Sequence, residues 1–454
     1  MSIKYSIIIP TRERHQTLKY AIQSVLSLQE ENLEVIVCDN ASSHHTKDVV
    51  SEFRDSRLLY ARSHERLNMT DNFERGISLA SGDYITVIGD DDLIIPSIFP
   101  DIKLQLNTTD VVCWFRYPYF WNDIENPQRG MLIGSLSKTF TKIESSKILS
   151  EAISKFANYQ FLPSVYNSWV SKNVIQKIIE VNTELGINRF FCDGVISPDV
   201  FSSLLISCFT NQFVYSTIPF SLSGISSFSN GGVTNSRDSQ LFAKEYGCTT
   251  IEDRFHYRIK SLISYLLNVE LSTDKLRNPL GIASDYFLFC ETYAKYHHLI
   301  QAEKLMFSLL QSIIFNLKLN KEIKVLLELT KSIGITDQLE EILNYTVYDE
   351  NYRVYKYIHS FNVPIPTTTF AVDARLWGVG NSYDAMLLYE QFLSGRESPD
   401  RYDNWKYWHR FKRKVKPVIK PLAEIAEQIT RTINRLLIRV FVQSLKGQIL
   451  KTSK

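Results

Sequence analysis

Cysteine is scarce and scattered in this sequence. Cys38, Cys113, Cys192, Cys208, Cys248 and Cys290 form no CxxC pair and no metal-ligand spacing. That excludes a zinc ribbon, a thioredoxin-like redox motif and a disulfide framework. Several of them sit in apolar runs as core fillers, so a reduced, cytoplasmic compartment is expected. No stretch of about 18 uncharged apolar residues occurs, and no membrane-spanning helix is expected. A secretory leader is not expected either, because Met1-Ser2-Ile3-Lys4 runs straight into an apolar segment. No period of roughly 20–50 residues recurs, which excludes a solenoid. A net charge of only +2 gives the chain as a whole no strongly charged partner, and no nucleic-acid reader motif accompanies its basic residues.

What is present is enough apolar material for a full core, 44% hydrophobic and 12% aromatic over 454 residues. At roughly 150 residues per domain this length suits two or three domains. The charge is uneven. Residues 406–454 hold 13 Lys/Arg against 2 Asp/Glu, a net of +11, which leaves −9 on residues 1–405. An acidic body with a basic tail follows.

The first 95 residues alternate in period. Tyr5-Ser6-Ile7-Ile8-Ile9, ended by Pro10, reads as a buried strand, and Leu18, Ile22, Val25 and Leu26 then recur at helical spacing. Leu33–Cys38 is a second strand, Thr46–Phe53 a helix and Leu58–Ala61 a weaker strand. Asn68–Ala80 is a helix with Gly82 as its C-cap. Tyr84–Ile88 is a strand again. This rhythm implies right-handed βαβ units and a parallel sheet. The last strand ends in Gly89-Asp90-Asp91-Asp92. Three adjacent carboxylates repel one another, and a hard divalent cation would neutralise them. The same four residues also read as an acidic turn. In an open α/β sheet, ligands bind beyond the carboxyl ends of the strands, which is where this cluster falls.

Further along, Val111–Phe115 reads as a strand, and Arg116–Trp121 is an aromatic stretch that either fills a core or stacks on a sugar. Thr141–Lys155 reads as a helix, and Ser197-Pro198 opens another with Asp199 in its first turn. Ser223–Asn235, rich in Gly and Ser, reads as a mobile loop. The expected domains are 1–240, a helical domain 241–362, a linker or irregular segment 363–404, and a basic amphipathic tail 405–454. In that tail Trp405, Tyr407 and Trp408 interleave with Lys and Arg, and an apolar stripe runs from Ile429 to Leu445. It reads as an anchor for an anionic membrane surface or as a helix packed on the body.

Taken in order, Pro10-Thr11-Arg12, the loop Val37-Cys38-Asp39-Asn40-Ala41-Ser42, the approach from Asn72 to Tyr84 and the Asp triplet resemble the family-2 glycosyltransferases with a GT-A fold. The resemblance is clear over residues 1–100 and weaker on to residue 240. It implies an α/β fold with a GT-A-like, Rossmann-type, mostly parallel sheet flanked by helices, followed by a mainly helical region. It implies inverting transfer of a sugar from a nucleoside-diphosphate sugar to a hydroxyl acceptor, either a glycan or a lipid-linked acceptor, in polysaccharide or glycoconjugate synthesis. A cytoplasmic enzyme, peripheral on the cytoplasmic face of a membrane, would suit that work. By the same resemblance Pro10, Thr11, Arg12, Asp39, Asp90 and Asp91 contact the nucleotide sugar. Asp90 and Asp92 hold a divalent metal, Mn or Mg, and Asp199 is the base, with Asp193 as its rival. Arg66 and Arg75 read as diphosphate partners or as surface charge. Two departures stand out: Gly89 occupies a place where the family often has Asp, and Arg12 replaces an aromatic. A catalytically inactive nucleotide-sugar-binding or membrane scaffold protein is the alternative. A prenyl-diphosphate enzyme is disfavoured, because Leu93 and Ile94 follow where a DDxxD motif needs a later Asp.

Overall fold

The computed structural model describes residues 2–229, 285–299 and 366–400, apart from 126–127, 156–158, 287 and 367. The alternation read from the sequence is present: β1 (Tyr5–Thr11), α1 (His15–Leu26), β2 (Leu33–Asp39), α2 (His44–Ser51), β3 (Leu58–Arg62), α3 (Met69–Leu79) and β4 (Tyr84–Val87). β1 and β2 are almost wholly buried on both faces, as continuous apolar runs in a helix-covered sheet should be. α3 begins where Asn68 accepts the Asp71 amide at 2.8 Å, an N-cap that satisfies an otherwise orphaned donor. Gly82 is not its C-cap; Ala80 is. Gly82 instead lies so close to β1 that a Cβ would meet Ser6 Oγ at 2.4 Å.

After β4 the chain forms β5 (Leu93–Ile94), α4 (Phe99–Leu106), β6 (Val111–Trp114), β7 (Pro118–Phe120), β8 (Met131–Ser135), β9 (Phe140–Glu144), α5 (Ser145–Lys155), β10 (Ser168–Ser171), α6 (Lys172–Glu184), α7 (Pro198–Phe209), β11 (Gln212–Ser216) and β12 (Ser221–Ile225). β13 (Thr369–Asp373) and α8 (Ser382–Leu393) come much later. An eight-stranded sheet runs β3-β2-β1-β4-β10-β6-β11-β9. β3, β2, β1 and β4 are mutually parallel. β10 enters antiparallel to both β4 and β6. The fold is therefore α/β with a central sheet flanked by helices. A second, five-stranded sheet runs β13-β8-β7-β12-β5. The aromatic stretch is core: Tyr117, Tyr119, Phe120 and Trp121 are buried.

Three expectations are corrected. Residues Phe140–Glu144 form an edge strand paired with β11 before the helix starts at Ser145, so the helix does not begin at Thr141. Residues Ser223–Ile225 are strand, not loop. The segment 363–404 is not a linker, since β13 pairs antiparallel with β8 and α8 packs on α1. Tyr389 of α8 both donates to the Ser135 carbonyl (2.5 Å) and accepts from the Ser135 amide (2.8 Å). The helical region expected over 241–362 lies outside the described residues except for 285–299, which is helical where described. The tail 405–454 lies outside them altogether. Among the described residues no helix is long and apolar enough to cross a membrane.

Candidate active site

The Asp triplet closes the end of β4 and sits where the two sheets meet, because β5 follows it at once. The Gly89 amide donates to Asp92 Oδ2 at 2.6 Å, and the Asp92 amide returns to the Gly89 carbonyl at 3.2 Å. This tight turn sends the three side chains to three different sets of partners. Asp90 takes Thr11 Oγ1 at 2.7 Å and Arg14 Nη1 at 3.1 Å. Asp91 Oδ2 takes the hydroxyls of Ser226 and Ser229, and its carbonyl takes Trp121 Nε1 at 3.1 Å. Asp92 Oδ1 takes the Gly224 amide at 2.8 Å, and Oδ2 also takes Arg116 Nη2. All three are buried. Burial pushes the Asp90 carboxyl up to about 6 against the pull of Arg14, and pushes Asp92 upward against Arg116.

β1 and β2 are in register with Thr11 beside Asp39, and β2 and β3 with Asp39 beside Arg62. Thr11, Asp39 and Arg62 thus form one row at the carboxyl ends of three parallel strands. Asp39 is fully buried and already engaged. Its Oδ1 takes the Ser42 amide at 3.0 Å, its Oδ2 takes the Tyr60 hydroxyl at 2.5 Å, and Arg62 Nε lies 3.7 Å away. These bonds and a ligand role are compatible, since a carboxylate has about four acceptor positions. The loops after β1 and β2 tie to each other: the Glu13 amide donates to Ser42 Oγ and the Ser43 amide to Glu13 Oε1, both at 2.8 Å. Glu13 (φ 56°) and Ala41 (φ 51°) hold left-handed backbone there, the kind of strain that concentrates at functional sites. Pro10 is the half-buried residue of β1 just before buried Thr11, and Arg12 is half-buried in the loop that follows. Arg75 donates to the Ala61 carbonyl at 3.1 Å, a structural use, and Arg66 is exposed.

Asp199 enters from the other side, in the first turn of α7. It keeps some accessible surface while lying deep among protein atoms. Burial pushes its carboxyl up, opposed by backbone N–H bonds and by Arg116. Arg116 joins the two halves of the site. It is paired with Asp92, stacks over the Tyr166 ring at 4.8 Å from the centroid, and acts electrostatically on Asp199. Its Nε is buried without a hydrogen-bond partner. The rival Asp193 is 86% exposed and paired with Arg189. Sequence reasoning passed over Arg14, Arg116, Gly224, Ser226 and Ser229. Only Arg116 carried a signal, as the charged residue that follows an apolar strand toward its carboxyl end.

The donor set suits a hard divalent cation of the kind held by one or two carboxylates plus substrate phosphates. Among the described residues no three His, Cys, Asp or Glu form a preformed cage. Even so, among the described residues each Asp90 oxygen carries one bond and Asp92 Oδ1 carries one, which leaves acceptor capacity on both residues. Arg14 and Arg116 do not fully offset the burial of these carboxylates, so a further positive charge would be stabilising there.

Comparison with known proteins agrees with this geometry. The pattern described as Glycosyl transferase family 2 matches residues 6–161. A GalNAc(5)-diNAcBac-PP-undecaprenol beta-1,3-glucosyltransferase of Campylobacter jejuni is 32% identical over 107 residues, 23% of this chain and 35% of that one. The abequosyltransferase RfbV of Salmonella typhimurium is 32% identical over 108 residues, 23% of this chain and 32% of that one. The chain thus spans about a third of the length of the curated relatives it matches. The structure of Staphylococcus aureus TarS 1–349 with UDP-GlcNAc is similar at 12% identity and a TM-score of 0.42, covering 71% of this chain and 89% of that one. With the motifs in order, the sheet that presents them and the match over residues 6–161, that segment of the chain is a glycosyl transferase family 2 segment.

Proposed function

We propose that the protein transfers a sugar from a nucleoside-diphosphate sugar to an acceptor hydroxyl with inversion at the anomeric carbon. The observation that carries this reading is the juxtaposition of the buried Asp triplet with Asp199 across Arg116. Asp199 would accept the proton of the acceptor hydroxyl as its oxygen bonds to the anomeric carbon. The bond from that carbon to the diphosphate oxygen breaks, and the electron pair leaves with the nucleoside diphosphate. With one base and no protein nucleophile in the pathway, attack comes from the face opposite the leaving group. General-base help of this kind is worth about 10²–10⁴ in rate. The raised carboxyl of Asp199 makes it a better proton acceptor than an exposed aspartate.

Asp90 and Asp92 would hold a divalent cation, Mn or Mg, which offsets the charge that develops on the leaving diphosphate. Thr11 and Arg14 orient Asp90. Gly89, Gly224 and Arg116 orient Asp92. Asp39, in the row with Thr11, would contact the nucleoside, flanked by Pro10 and Arg12, and Asp91 would border the sugar. A lipid-linked acceptor is supported by the undecaprenol-linked substrate in the name of the Campylobacter relative. The basic tail would then hold the enzyme at an anionic membrane surface.

The test is a thermal-shift panel of nucleotides and nucleotide sugars with and without MnCl₂, then transfer to a lipid-diphosphate acceptor with the product anomer read by NMR. Metal-dependent stabilisation by one nucleotide, and loss of transfer in Asp90→Ala and Asp92→Ala with the fold kept, are expected. Full turnover in excess chelator would end the metal assignment. A retained anomeric configuration would end the single-base mechanism.

A further inference from the structure

Asp285 belongs to none of the motifs and lies far beyond the family segment, yet it reaches the site. Its side chain is wholly buried. Oδ1 accepts the Ile196 amide at 2.9 Å and Oδ2 accepts the Ser197 amide at 2.8 Å. These are the two residues that lead into Pro198 and Asp199 at the start of α7. The Ser197 side chain makes no cap bond to its own helix, so the helix entry is fixed from outside by a carboxylate.

A buried carboxylate is expensive unless its bonds are well made, and bonds from N–H groups to a charged acceptor are among the strong ones. Burial, with the nearby charge of Asp199, pushes the Asp285 carboxyl up to about 7. The residues around Asp285 grip the same helix and its neighbour α6. Phe289 meets Phe201 edge-on at 6.2 Å, and Cys208 Sγ donates to the Tyr296 hydroxyl at 3.3 Å. Tyr293 donates to Asn182 Oδ1 at 2.5 Å, while Asn182 Nδ2 holds the carbonyls of Arg189 and Phe190 at 2.9 Å each.

The other end of the loop between α6 and α7 is held in the same manner. Glu74 of α3 accepts the amides of Phe190 and Phe191, both at 2.9 Å, and Thr70 donates to the Val195 carbonyl at 3.0 Å. Two carboxylates from distant parts of the chain, Asp285 buried and Glu74 half-buried, thus each clamp two consecutive amides of one loop. A plain connector on the surface satisfies such amides with water.

We infer that Asp285 is a positioning residue for Asp199: by clamping the Ile196 and Ser197 amides it fixes the entry of α7 and aims the Asp199 carboxylate, so that the segment around residues 285–296 is part of the catalytic unit. This rests on the reading of Asp199 as the base. A displacement of about 1 Å at a reacting group costs on the order of 10²-fold in rate, so a loosened clamp registers in turnover before it registers in donor affinity.

The experiment compares Asp199→Asn, Asp285→Asn and the double variant with the unaltered full-length chain, using the nucleotide sugar that the panel identifies. The expected result for Asp285→Asn is a kcat about tenfold or more below wild type, with the donor KM within about twofold. The double variant should be no slower than Asp199→Asn alone, because a residue that acts through Asp199 has nothing to act on once that carboxylate is gone. Losses that multiply, or a kcat at the wild-type level in Asp285→Asn, overturn the positioning. Full turnover in Asp199→Asn alone removes the base reading itself and the role of Asp285 with it, a different failure seen in a different variant. Should Asp285→Asn fail to fold, amide exchange in the unaltered protein decides: protection of Ile196 and Ser197 matching the interior of α7 supports the clamp, and rapid exchange of both overturns it.

Discussion

Replacing Gly224 by alanine tests how tightly the two sheets close on the Asp triplet. A Cβ at Gly224 would stand 1.6 Å from the Asp91 carbonyl oxygen and 2.4 Å from its carbon. Both are backbone atoms, so no rotamer change relieves the clash. β12 would have to retreat from the loop, and the retreat would break the Gly224 amide bond to Asp92 (2.8 Å) and strain the Trp121 bond to Asp91 (3.1 Å). Overpacking costs about 1–3 kcal/mol, and a lost bond to a charged group about 1.5–3 kcal/mol. The sum is roughly 2.5–6 kcal/mol, or a fall on the order of 10 °C in melting temperature for a cooperative unit of this size. Differential scanning fluorimetry with and without MnCl₂ and nucleotide reads both consequences: a lower melting point, and a smaller shift on ligand addition. Gly186→Ala is the control. Its φ is +81° but nothing lies within 4 Å of the new Cβ, so only backbone strain of about 1 kcal/mol is expected. A Gly224→Ala protein that melts with the wild type and binds nucleotide normally would refute the close approach and the account of the site built on it.

Asp199→Asn should bind nucleotide normally and turn over about 10² more slowly; in the wild type, kcat should fall on the acid side along a limb lying above the usual aspartate range, because the base must be ionised and burial raises its carboxyl, and a limb at the ordinary value would contradict this. Glu34 is buried, which alone would raise its carboxyl, but bonds from Lys4, Ser6 and Ser81 hold it down to about 2 from 4.5. A lowered carboxyl stabilises the fold above the unfolded value, and that contribution, about 3 kcal/mol, fades as pH falls from 4.5 toward 2. Urea midpoints across this window should drop more steeply in the wild type than in Glu34→Gln; parallel curves would count against it. Full-length protein should sediment with anionic liposomes and weaken with salt, each engaged Lys or Arg contributing about 1 kcal/mol, while a chain ending at Pro399 should not. Equal sedimentation of the two forms would remove the membrane role of the tail.

The parallel half of the fold was legible because its information is local. Apolar runs such as Ile7–Ile9 and Val35–Val37, broken by Pro10 and Asp39, declare buried strands with no help from the rest of the chain. β9 was not legible. Phe140–Glu144 is a half-exposed edge strand beside a strong helix start, and only its pairing with β11 makes it a strand. β13 escaped for the same reason at greater distance, since its partner β8 lies more than 200 residues earlier. In the site, the Asp triplet and Asp199 announced themselves by charge against an apolar background. Their supports did not: Gly224, Ser226 and Ser229 are ordinary residues until the fold brings them to the Asp triplet, and Asp285 until it meets the amides that lead into α7.

The pairing of β13 with β8 sets where this gene can be cut for expression. A fragment ending near residue 240, the natural choice if the family domain is taken as the folding unit, would lack β13 and α8. β8 would then present a bare edge along Met131–Ser135, with Gly134 stripped of the cover that Phe370 and Tyr389 supply and Leu132 of its partner Val372. Open apolar edges of this kind recruit strands from other molecules, so such a fragment should be recovered in inclusion bodies. Supplying residues 366–400 as a separate piece would cover the β8 edge but not restore the fragment, because residues 285–299, whose Asp285 and Phe289 hold α7, would still be missing.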